Sequence, residues 1–444
     1  MVTILIAGAG RSSIYLIEYL LNFAPRNHWK IIIADSNEKA ITEKAAGSQH
    51  VEAAVIDITK TAEREPLVKR ADIVLSLMPP HLHIHLAKDC LKHKKNLITS
   101  SYISAEMKEM DKAVKEAGLM FMCEMGLDPG IDHMSASKII HGIQRVAGVI
   151  TGFSSYCGGL IAPESDNNPW HYKFTWNPQN VIAAGADGAK YLHHGKQVDV
   201  PYNKIFEHNK KINAGDLGQL AYYPNRDSIK YLKLYDLPDA KTFMRATLRH
   251  PLFCKGWQAL VLLGLTDGND VVETKGATYA SWLMKRSGHS GKTALPEFIA
   301  QKLKVPENDQ VVIPMLQWLG LFDEKPLPHG NTSSAGILFA LLKDKWQMAP
   351  DDKDMVVMQH EVEYIHRNDI KTKLTSSMVV KGENSERTAM AKTVGLPIGI
   401  LTRMVLNKKI KIPSGVLIPN MVSVYRPVLT ELAHHGIIFK DEVE

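Results

Sequence analysis

Over residues 1–125, short apolar runs alternate with helical patterns, and this alternation limits the possible folds more than any other feature of the sequence. Strands separated by helices are typical of a parallel sheet with helices on its faces. The pattern predicts helices over Arg11–Ala24, His83–His93 and Ala105–Ala117. It predicts strands over Thr3–Ala7, Trp29–Ala34, Ala53–Asp57, Ile73–Ser76, Leu97–Ser100 and Met120–Cys123. We therefore expect the chain to begin with an α/β domain.

A glycine turn joins the first predicted strand to the first predicted helix. Gly8-Ala9-Gly10 is followed by Arg11 and Ser12, and Ser13 stands where a dinucleotide fingerprint has its third glycine or alanine. In such a turn the first glycine makes the bend and the second lets the backbone approach a pyrophosphate, which the helix N-terminus then binds. The sequence predicts a Rossmann-type dinucleotide site, with a plain strand–helix turn as the alternative.

Asp35 ends the second predicted strand, 25 residues after Gly10. A carboxylate at this position accepts hydrogen bonds from a ribose diol and repels a 2′-phosphate. The alternative is a helix cap, because Asp35-Ser36-Asn37 is rich in capping residues. Both roles are compatible, and the prediction is NAD rather than NADP.

The pattern changes after Gly126–Gly130. Residues 149–235 contain short strands and turns, and helical patterns dominate from residue 240 to about residue 322. Val356–Ile365 and Lys371–Val380 alternate as in a β-hairpin. Two helices are predicted beyond this hairpin, over Thr388–Leu406 and Tyr425–His434.

Composition excludes several classes of function. The 444 residues have room for two or three domains, and the net charge of +6 comes from scattered basic residues, unlike the basic face of a nucleic-acid binder. Four dispersed cysteines fit a reducing compartment and neither a disulfide framework nor a metal site. No targeting segment or apolar stretch of about 20 residues is visible. We expect a cytoplasmic protein without a membrane partner, or a mitochondrial matrix protein if a eukaryotic transit peptide has been removed.

Polar segments follow several predicted strands. Ser100–Ser104 and Glu124–His133 come after neighbouring strands, whose carboxyl ends form the ligand-binding edge of an open α/β sheet. Tyr156–Gly159 and Tyr223–Ser228 are similar polar segments in the second half of the chain. Each segment alone is compatible with a turn, but together they predict an active-site wall. His81, His83 and His85 alternate, yet Pro79-Pro80 before them starts a helix more naturally than a strand, and we expect no metal.

These segments together resemble the saccharopine dehydrogenase (L-glutamate-forming) family. The C-terminal half most resembles the saccharopine dehydrogenase half of aminoadipic semialdehyde synthase, through Glu297–Asp323, Asp352–Met358 and Thr388–Pro397. No reductase half precedes the match, so a monofunctional enzyme is expected. The matching motifs elsewhere are Gly8-Ala9-Gly10, Ser100–Ser104, Gly126–His133, Ser155–Gly159, Lys173–Trp176, Tyr223–Ser228 and Thr247–Arg249.

The resemblance implies a Rossmann-type parallel sheet domain, a second α+β domain for substrate binding and dimerisation, and an inserted helical subdomain. The implied ranges are 1–130 for the dinucleotide-binding domain, 131–239 with 331–387 for the α+β domain, 240–330 for the helical insert and 388–444 for C-terminal helices that return to the first domain. It also implies a homodimer that oxidises saccharopine to an imine. Hydrolysis of this imine gives L-glutamate and 2-aminoadipate 6-semialdehyde, a reaction of lysine metabolism.

The resemblance also assigns roles to residues. Asp128, Tyr102 and Cys157 are the catalytic candidates, and the residues alone do not decide which of them is the principal acid or base. The implied substrate-binding residues are Ser101, Tyr102, Asp128, Asn225, Arg226, Thr247 and Arg249, and Trp176 is a further candidate. The implied cofactor-binding residues are Gly8, Gly10, Arg11, Ser12, Asp35, Ser36, Asp57, Leu77, Ser100, Leu127, Asp128 and Lys173.

The sequence departs from the pattern of the family at two positions. Fungal members use NADP with an arginine after the second strand, whereas Asp35-Ser36 fits the NAD-using animal type, and Ser13 is a smaller departure.

One alternative function is a related amine dehydrogenase of the carboxynorspermidine type. The other is a non-catalytic redox sensor that binds NAD(H).

Overall fold

Residues 1–207, 209–306, 309–328 and 330–444 are described by the computed structural model. Residues 208, 307, 308 and 329, which fall in the predicted substrate domain and helical insert, lie outside this description. The chain divides into two units. Unit 1 comprises Met1–Val149, Ile365–Ile370 and Met378–Asp441, and unit 2 comprises Ile150–Tyr364, Lys371–Ser377 and Glu442–Glu444. The predicted domain boundary at residue 130 therefore lies inside unit 1.

The strands of the described residues are numbered in chain order. They are β1 Val2–Ala7, β2 Trp29–Asp35, β3 Val51–Val55, β4 Ile73–Ser76, β5 Asn96–Thr99, β6 Met120–Met122, β7 Val149–Ile161, β8 Ala189–His193, β9 Lys196–Val200, β10 Lys210–Asn213, β11 Gln219–Pro224, β12 Arg226–Asp227, β13 Thr242–Arg249, β14 Asp354–Ile365, β15 Lys371–Lys381, β16 Gly415–Leu417 and β17 Lys440–Val443.

The α-helices of the same residues are numbered likewise. They are α1 Ile14–Asn27, α2 Glu38–Ala45, α3 Thr61–Arg70, α4 His83–Lys92, α5 Ala105–Glu109, α6 Asp111–Glu116, α7 Ile131–Arg145, α8 Pro178–Ile182, α9 Lys230–Leu234, α10 Pro251–Leu262, α11 Tyr279–Ser287, α12 Leu295–Leu303, α13 Val312–Leu319, α14 Ser334–Lys345, α15 Ala389–Leu406 and α16 Val422–His434.

Unit 1 is built on a parallel sheet with the strand order β16-β6-β5-β4-β1-β2-β3. The apolar runs of β1, β2 and β4 are buried along most of their length, as expected for strands covered on both faces. The Rossmann-type α/β prediction is confirmed. β3 lies two residues before its predicted range, because Asp57 begins a turn in which its Oδ1 accepts the Thr59 N–H at 2.9 Å.

Two features of unit 1 differ from what the sequence predicted. The predicted helix over Ala105–Ala117 is two helices, α5 and α6, because Met110 donates its N–H to Met107 at i−3 and tightens the turn. The sequence did not predict β16, which pairs in parallel with β6 from the far end of the chain.

Helix α15 runs against α1 within unit 1. A Cβ built on Gly395 would lie 2.9 Å from the Ser12 carbonyl oxygen, so the two helices approach closely where α1 begins. Of the helices in the described residues, α15 is the one long and apolar enough to span a membrane, with a mean hydropathy of 1.3. Since 72% of it is buried inside the protein, a core helix explains the same composition.

Unit 2 is built around a mixed sheet. Its main strand order is β10-β11-β13-β7-β14-β15-β17, with β8, β9 and β12 beside it. The segment Thr242–Arg249, which the sequence placed in the helical insert, is a central strand flanked by β11 and β7. Phe243, Ala246 and Leu248 are all buried, so a period-2 alternation was missing and the strand escaped prediction.

The helices of unit 2 pack around an aromatic core. Trp170, Trp257 and Trp346 are completely buried there, and the ring of Phe253 stacks on that of Trp257 at 5.4 Å. Helices α10 to α13 lie within residues 240–322, where the sequence predicted helical patterns.

Candidate functional site

The glycine turn after β1 has the geometry of a phosphate-binding loop. Gly8 has φ +105°, and a Cβ there would lie 3.1 Å from the backbone carbonyl of Leu77, so only glycine fits. Around Gly10, no heavy atom of the described residues lies within 4 Å of a Cβ position. Ser13 is buried and its hydroxyl donates to the Gly10 carbonyl at 2.8 Å. The turn therefore accommodates serine at the third position and leaves open space beside Gly10 for a pyrophosphate.

The Asp35 carboxylate lies beside this turn at the end of β2. Its Oδ2 accepts the Ala9 N–H at 2.7 Å and its Oδ1 accepts the Asn37 N–H at 2.9 Å. These two backbone donors fix the carboxylate, and each oxygen keeps lone-pair capacity for a further donor. Asp35 is partly exposed, so a ribose diol can reach it.

The other predicted cofactor residues have different surroundings. Arg11 and Ser36 are exposed, and Ser12 is half-buried. Asp57 holds the turn before α3 and accepts the Thr59 hydroxyl at 2.6 Å. Lys173 lies in unit 2, where its ammonium and the Asp352 carboxylate form a buried ion pair at 2.6 Å. The cofactor roles of Asp57 and Lys173 remain predictions.

Tyr102 and Asp128 meet at the carboxyl edge of the first sheet. The Tyr102 hydroxyl donates to Asp128 Oδ1 at 2.9 Å, and both side chains are half-buried. Tyr102 lies in the segment after β5 and Asp128 in the segment after β6, as the sequence predicted. Ser100 and Leu127 border the same two segments, and Leu127 is buried. The pair provides a carboxylate that a ligand can reach and a phenol that orients it.

A buried acidic cluster that was not among the predicted site residues supports this loop. Glu124 Oε1 accepts the Ile103 N–H at 3.0 Å, and its Oε2 lies 2.7 Å from His133 Nε2. Asp132 Oδ1 accepts the Gly130 N–H at 2.6 Å, and Gly130 has φ +147°. The contact between Glu124 and Ile103 joins the segments that carry Tyr102 and Asp128, and the contact between Asp132 and Gly130 fixes the turn beside Asp128.

A second unpredicted contact joins the ends of β4 and β5. His83, which opens α4, places Nδ1 2.7 Å from Ser76 Oγ and Nε2 2.8 Å from Ser101 Oγ. Burial lowers the pKa of His83 to about 4. The sequence contained a signal for this burial, because Leu86, Ala87 and Cys90 follow His83 at the spacing of one helix face. All three of these side chains are fully buried. The described residues hold no group of three or more potential ligands for a metal.

Three predicted or neighbouring residues line up on the sheet of unit 2. Tyr223 on β11 lies opposite Thr247 on β13, which in turn lies opposite Cys157 on β7. Cys157 is 6% exposed and Tyr223 is 2% exposed. Burial raises the pKa of Tyr223 to about 12. Cys157 and Thr247 are therefore neighbours on this sheet, whereas Asn225 and the exposed Arg226, at φ +53°, belong to the turn and short strand beyond β11.

Arg249 is a buried charged residue of unit 2. It is only 4% exposed, and its Nη1 donates to the Leu248 carbonyl at 2.8 Å. The guanidinium lies over the rings of Tyr172 and Phe253, at 5.1 and 5.5 Å. Its Nε has no hydrogen-bond partner, and no carboxylate of the described residues lies within ion-pair distance. A buried guanidinium with no carboxylate partner among the described residues is complementary to an anionic ligand.

Two family models match consecutive parts of the chain. Residues 4–122 match the model of the saccharopine dehydrogenase NADP binding domain, and residues 126–437 match that of the saccharopine dehydrogenase C-terminal domain. The chain belongs to the saccharopine dehydrogenase family. The recognition made from the sequence motifs is therefore confirmed.

Curated relatives extend along the whole chain of this saccharopine dehydrogenase family member. A Schizosaccharomyces pombe protein named saccharopine dehydrogenase [NADP(+), L-glutamate-forming] is 32% identical, covering 100% of this chain and 99% of its own. The Bos taurus mitochondrial alpha-aminoadipic semialdehyde synthase is 34% identical over 98% of this chain and 47% of its own length. The structure of apo saccharopine dehydrogenase (L-Glu forming) from Saccharomyces cerevisiae matches with TM-score 0.88 and 29% identity over both full chains.

Proposed function

We propose that this family member is an L-glutamate-forming saccharopine dehydrogenase that uses NAD. The observation that carries the proposal is the Tyr102–Asp128 pair at 2.9 Å, at the same sheet edge as the glycine turn after β1. A reachable carboxylate beside a dinucleotide site supports removal of a proton together with a hydride. Full-length similarity to L-glutamate-forming relatives supports saccharopine as the substrate and a place in lysine metabolism.

The reaction removes a hydride from the carbon beside the bridging nitrogen of saccharopine and a proton from that nitrogen. NAD, when bound, supplies the hydride acceptor, and Gly8, Gly10 and Asp35 would hold it. Asp128 accepts the proton, and Tyr102 keeps the carboxylate oriented through its hydroxyl. Water then adds to the imine carbon, and breakage of the carbon–nitrogen bond releases L-glutamate and the semialdehyde. Asp128 is the group we assign to hold and return the protons of these two steps.

Arg249 supports recognition of a substrate that carries three carboxylates. Its guanidinium is buried without a carboxylate partner among the described residues, and a planar fork binds a carboxylate through two parallel hydrogen bonds. A substrate carboxylate satisfies both the charge and the open Nε.

The preference for NAD rests on Asp35. Its carboxylate is fixed beside the turn by the Ala9 and Asn37 N–H groups, where a 2′-phosphate would add like charge. The fungal relatives carry NADP(+) in their names, so this chain differs from them if Asp35 acts as proposed. Repulsion worth about 3 kcal/mol corresponds to about a hundredfold preference.

The test is an assay of the purified chain with saccharopine and either NAD or NADP, following the reduced cofactor at alkaline pH. We expect kcat/KM with NAD to exceed that with NADP by about a hundredfold, and Asp35→Ala to narrow this ratio at least tenfold. As a control for catalysis, Asp128→Asn should lose about 10²–10⁴ in kcat and keep its affinity for NADH.

Each part of the proposal fails on a different result. Absence of saccharopine oxidation with both cofactors contradicts the assigned reaction. Turnover with NADP equal to or faster than that with NAD contradicts the role of Asp35 alone.

A further inference from the structure

Helix α4 begins with a histidine that joins two serines at the carboxyl edge of the first sheet. His83 is 4% exposed, and its ring nitrogens lie 2.7 Å from Ser76 Oγ and 2.8 Å from Ser101 Oγ. Ser76 pairs with Ala7 on one side and Thr99 on the other, so it lies level with the start of the glycine turn. Ser101 is half-buried and directly precedes Tyr102. The imidazole thus links the strand beside the cofactor turn to the segment that carries the catalytic candidates.

The neutral imidazole has one donor nitrogen and one acceptor nitrogen. Burial and the neighbouring His81 disfavour the charged form of the ring and lower its pKa, so one serine must donate to the ring and the other must accept from it. If Nε2 carries the proton, Ser101 Oγ accepts from the ring and its own O–H is directed elsewhere. If Nδ1 carries the proton, the Ser101 O–H is used up by the ring. The tautomer therefore decides what Ser101 presents to a ligand.

We propose that His83 is a positioning residue whose Nε2–H holds Ser101 Oγ, so that the Ser101 hydroxyl is directed as a donor toward a carboxylate of the substrate. Ser76 donates to Nδ1 and fixes this tautomer. The inference rests on the proposed function, because it is the anionic substrate that requires a donor from Ser101. It adds to that function a residue that touches neither substrate nor cofactor.

The first measurement uses the wild-type protein without substrate. Histidine labelled with ¹⁵N reports the protonated ring nitrogen by its chemical shift and couplings, and the His83 signal is identified by its disappearance in His83→Gln. We expect a neutral ring with the proton on Nε2 at neutral pH. A proton on Nδ1 overturns the proposal. Neither result depends on whether the enzyme oxidises saccharopine.

Two amide variants distinguish the contribution of the Nδ1 contact from that of the Nε2 contact. The longer amide of His83→Gln keeps an N–H donor near the Nε2 position and loses the contact with Ser76. The shorter amide of His83→Asn keeps an acceptor near the Nδ1 position and loses the contact with Ser101. We expect kcat/KM for saccharopine to fall about 10–30-fold in His83→Asn and less than about 3-fold in His83→Gln, with unchanged NADH affinity in both. His85→Asn, on the same helix, is the control and should leave activity unchanged.

A double-mutant cycle tests whether His83 acts through Ser101. Ser101→Ala alone should cost about 10–100-fold in kcat/KM, and adding His83→Asn should cost less than about 2-fold more. Multiplicative losses overturn the proposal, as do equal losses in His83→Asn and His83→Gln. If wild type does not oxidise saccharopine, the proposed function fails, and the tautomer measurement still decides the orientation of Ser101.

Discussion

Two arginines of this chain are almost equally buried but have different partners. Arg64 is 3% exposed and forms an ion pair with Asp89 at 2.6 Å, while a second nitrogen donates to the Ile58 carbonyl at 2.7 Å. Arg249 is 4% exposed, and among the described residues it contacts the Leu248 carbonyl and two aromatic rings and has no carboxylate partner. A buried charge without a counter-ion destabilises the fold, so we expect Arg249 to contribute to binding rather than to stability.

We therefore expect opposite effects on stability when each of the two arginines is replaced by methionine. Arg249→Met removes an uncompensated cation and should leave the melting temperature unchanged or raise it, while kcat/KM for saccharopine falls about 30–1,000-fold. Arg64→Met leaves the buried Asp89 carboxylate unpaired and should lower the free energy of unfolding by about 3–5 kcal/mol. Thermal unfolding and steady-state kinetics on both variants check the contrast. If Arg249→Met is destabilised as strongly as Arg64→Met, then Arg249 has a structural role.

At the scale of elements, the close approach of α15 to α1 depends on a glycine. A Cβ on Gly395 would lie 2.9 Å from the Ser12 carbonyl oxygen and 3.0 Å from the Leu16 nitrogen. Both neighbours are backbone atoms at the start of α1, directly after the glycine turn. A methyl group there must push the helices apart, and it cannot be accommodated by a side-chain movement.

A matched pair of glycine substitutions tests this contact. Gly395→Ala should lower the free energy of unfolding by about 1–3 kcal/mol, although alanine is the better helix former by about 1 kcal/mol. Gly142→Ala in α7 meets no atom of the described residues within 4 Å and should stabilise by about 0.5–1 kcal/mol. Urea unfolding of both variants gives the sign of the change in the free energy of unfolding for each of them. Stabilisation in both variants would show that α15 can shift at no cost.

The strands of unit 1 differ in how far the sequence could predict them. Short apolar runs between helices predicted β1 to β6, because buried parallel strands have that composition. The pattern could not predict β16, which has three residues and pairs with a strand almost 300 positions earlier. The motif residues Asp35, Tyr102 and Asp128 were found because they follow strand ends. The contacts that position them are between residues distant in sequence, as in the bond between His83 and Ser101, and periodicity carries no information about such pairs.

At the scale of the whole molecule, each unit contains a histidine that must stay neutral to keep its contacts. In unit 1, burial lowers the pKa of His83 to about 4. In unit 2, burial and the neighbouring His171 lower the pKa of His250 to about 4, and His250 Nδ1 accepts the Leu252 N–H at 3.2 Å as the cap of α10. Six of the seven tryptophans belong to unit 2 and Trp29 belongs to unit 1, so tryptophan fluorescence reports mainly on unit 2.

These histidines predict how stability depends on pH. Because their pKa in the folded chain lies below the ordinary value near 6.5, the unfolded chain binds more protons between about pH 6.5 and pH 4. Stability is therefore fully present above about pH 6.5 and falls as the pH drops through this window. For His83 the loss amounts to about 3 kcal/mol at its limit. Carboxylates such as Glu52, whose pKa is lowered from 4.5 to about 2 by hydrogen bonds from Arg70 and Lys30, begin to add their own loss below about pH 4.5.

Substitution of each histidine tests its share of this pH dependence. His83→Gln should flatten the decline in the free energy of unfolding between about pH 6.5 and pH 4, because an amide does not titrate there. His250→Asn should do the same for the transition seen by tryptophan fluorescence, while its side-chain oxygen can still cap α10. The measurement is urea unfolding across this pH range, with circular dichroism for the whole chain and fluorescence for unit 2. If both variants keep the wild-type slope, protonation of other groups causes the acid sensitivity, and the two histidines are not its origin.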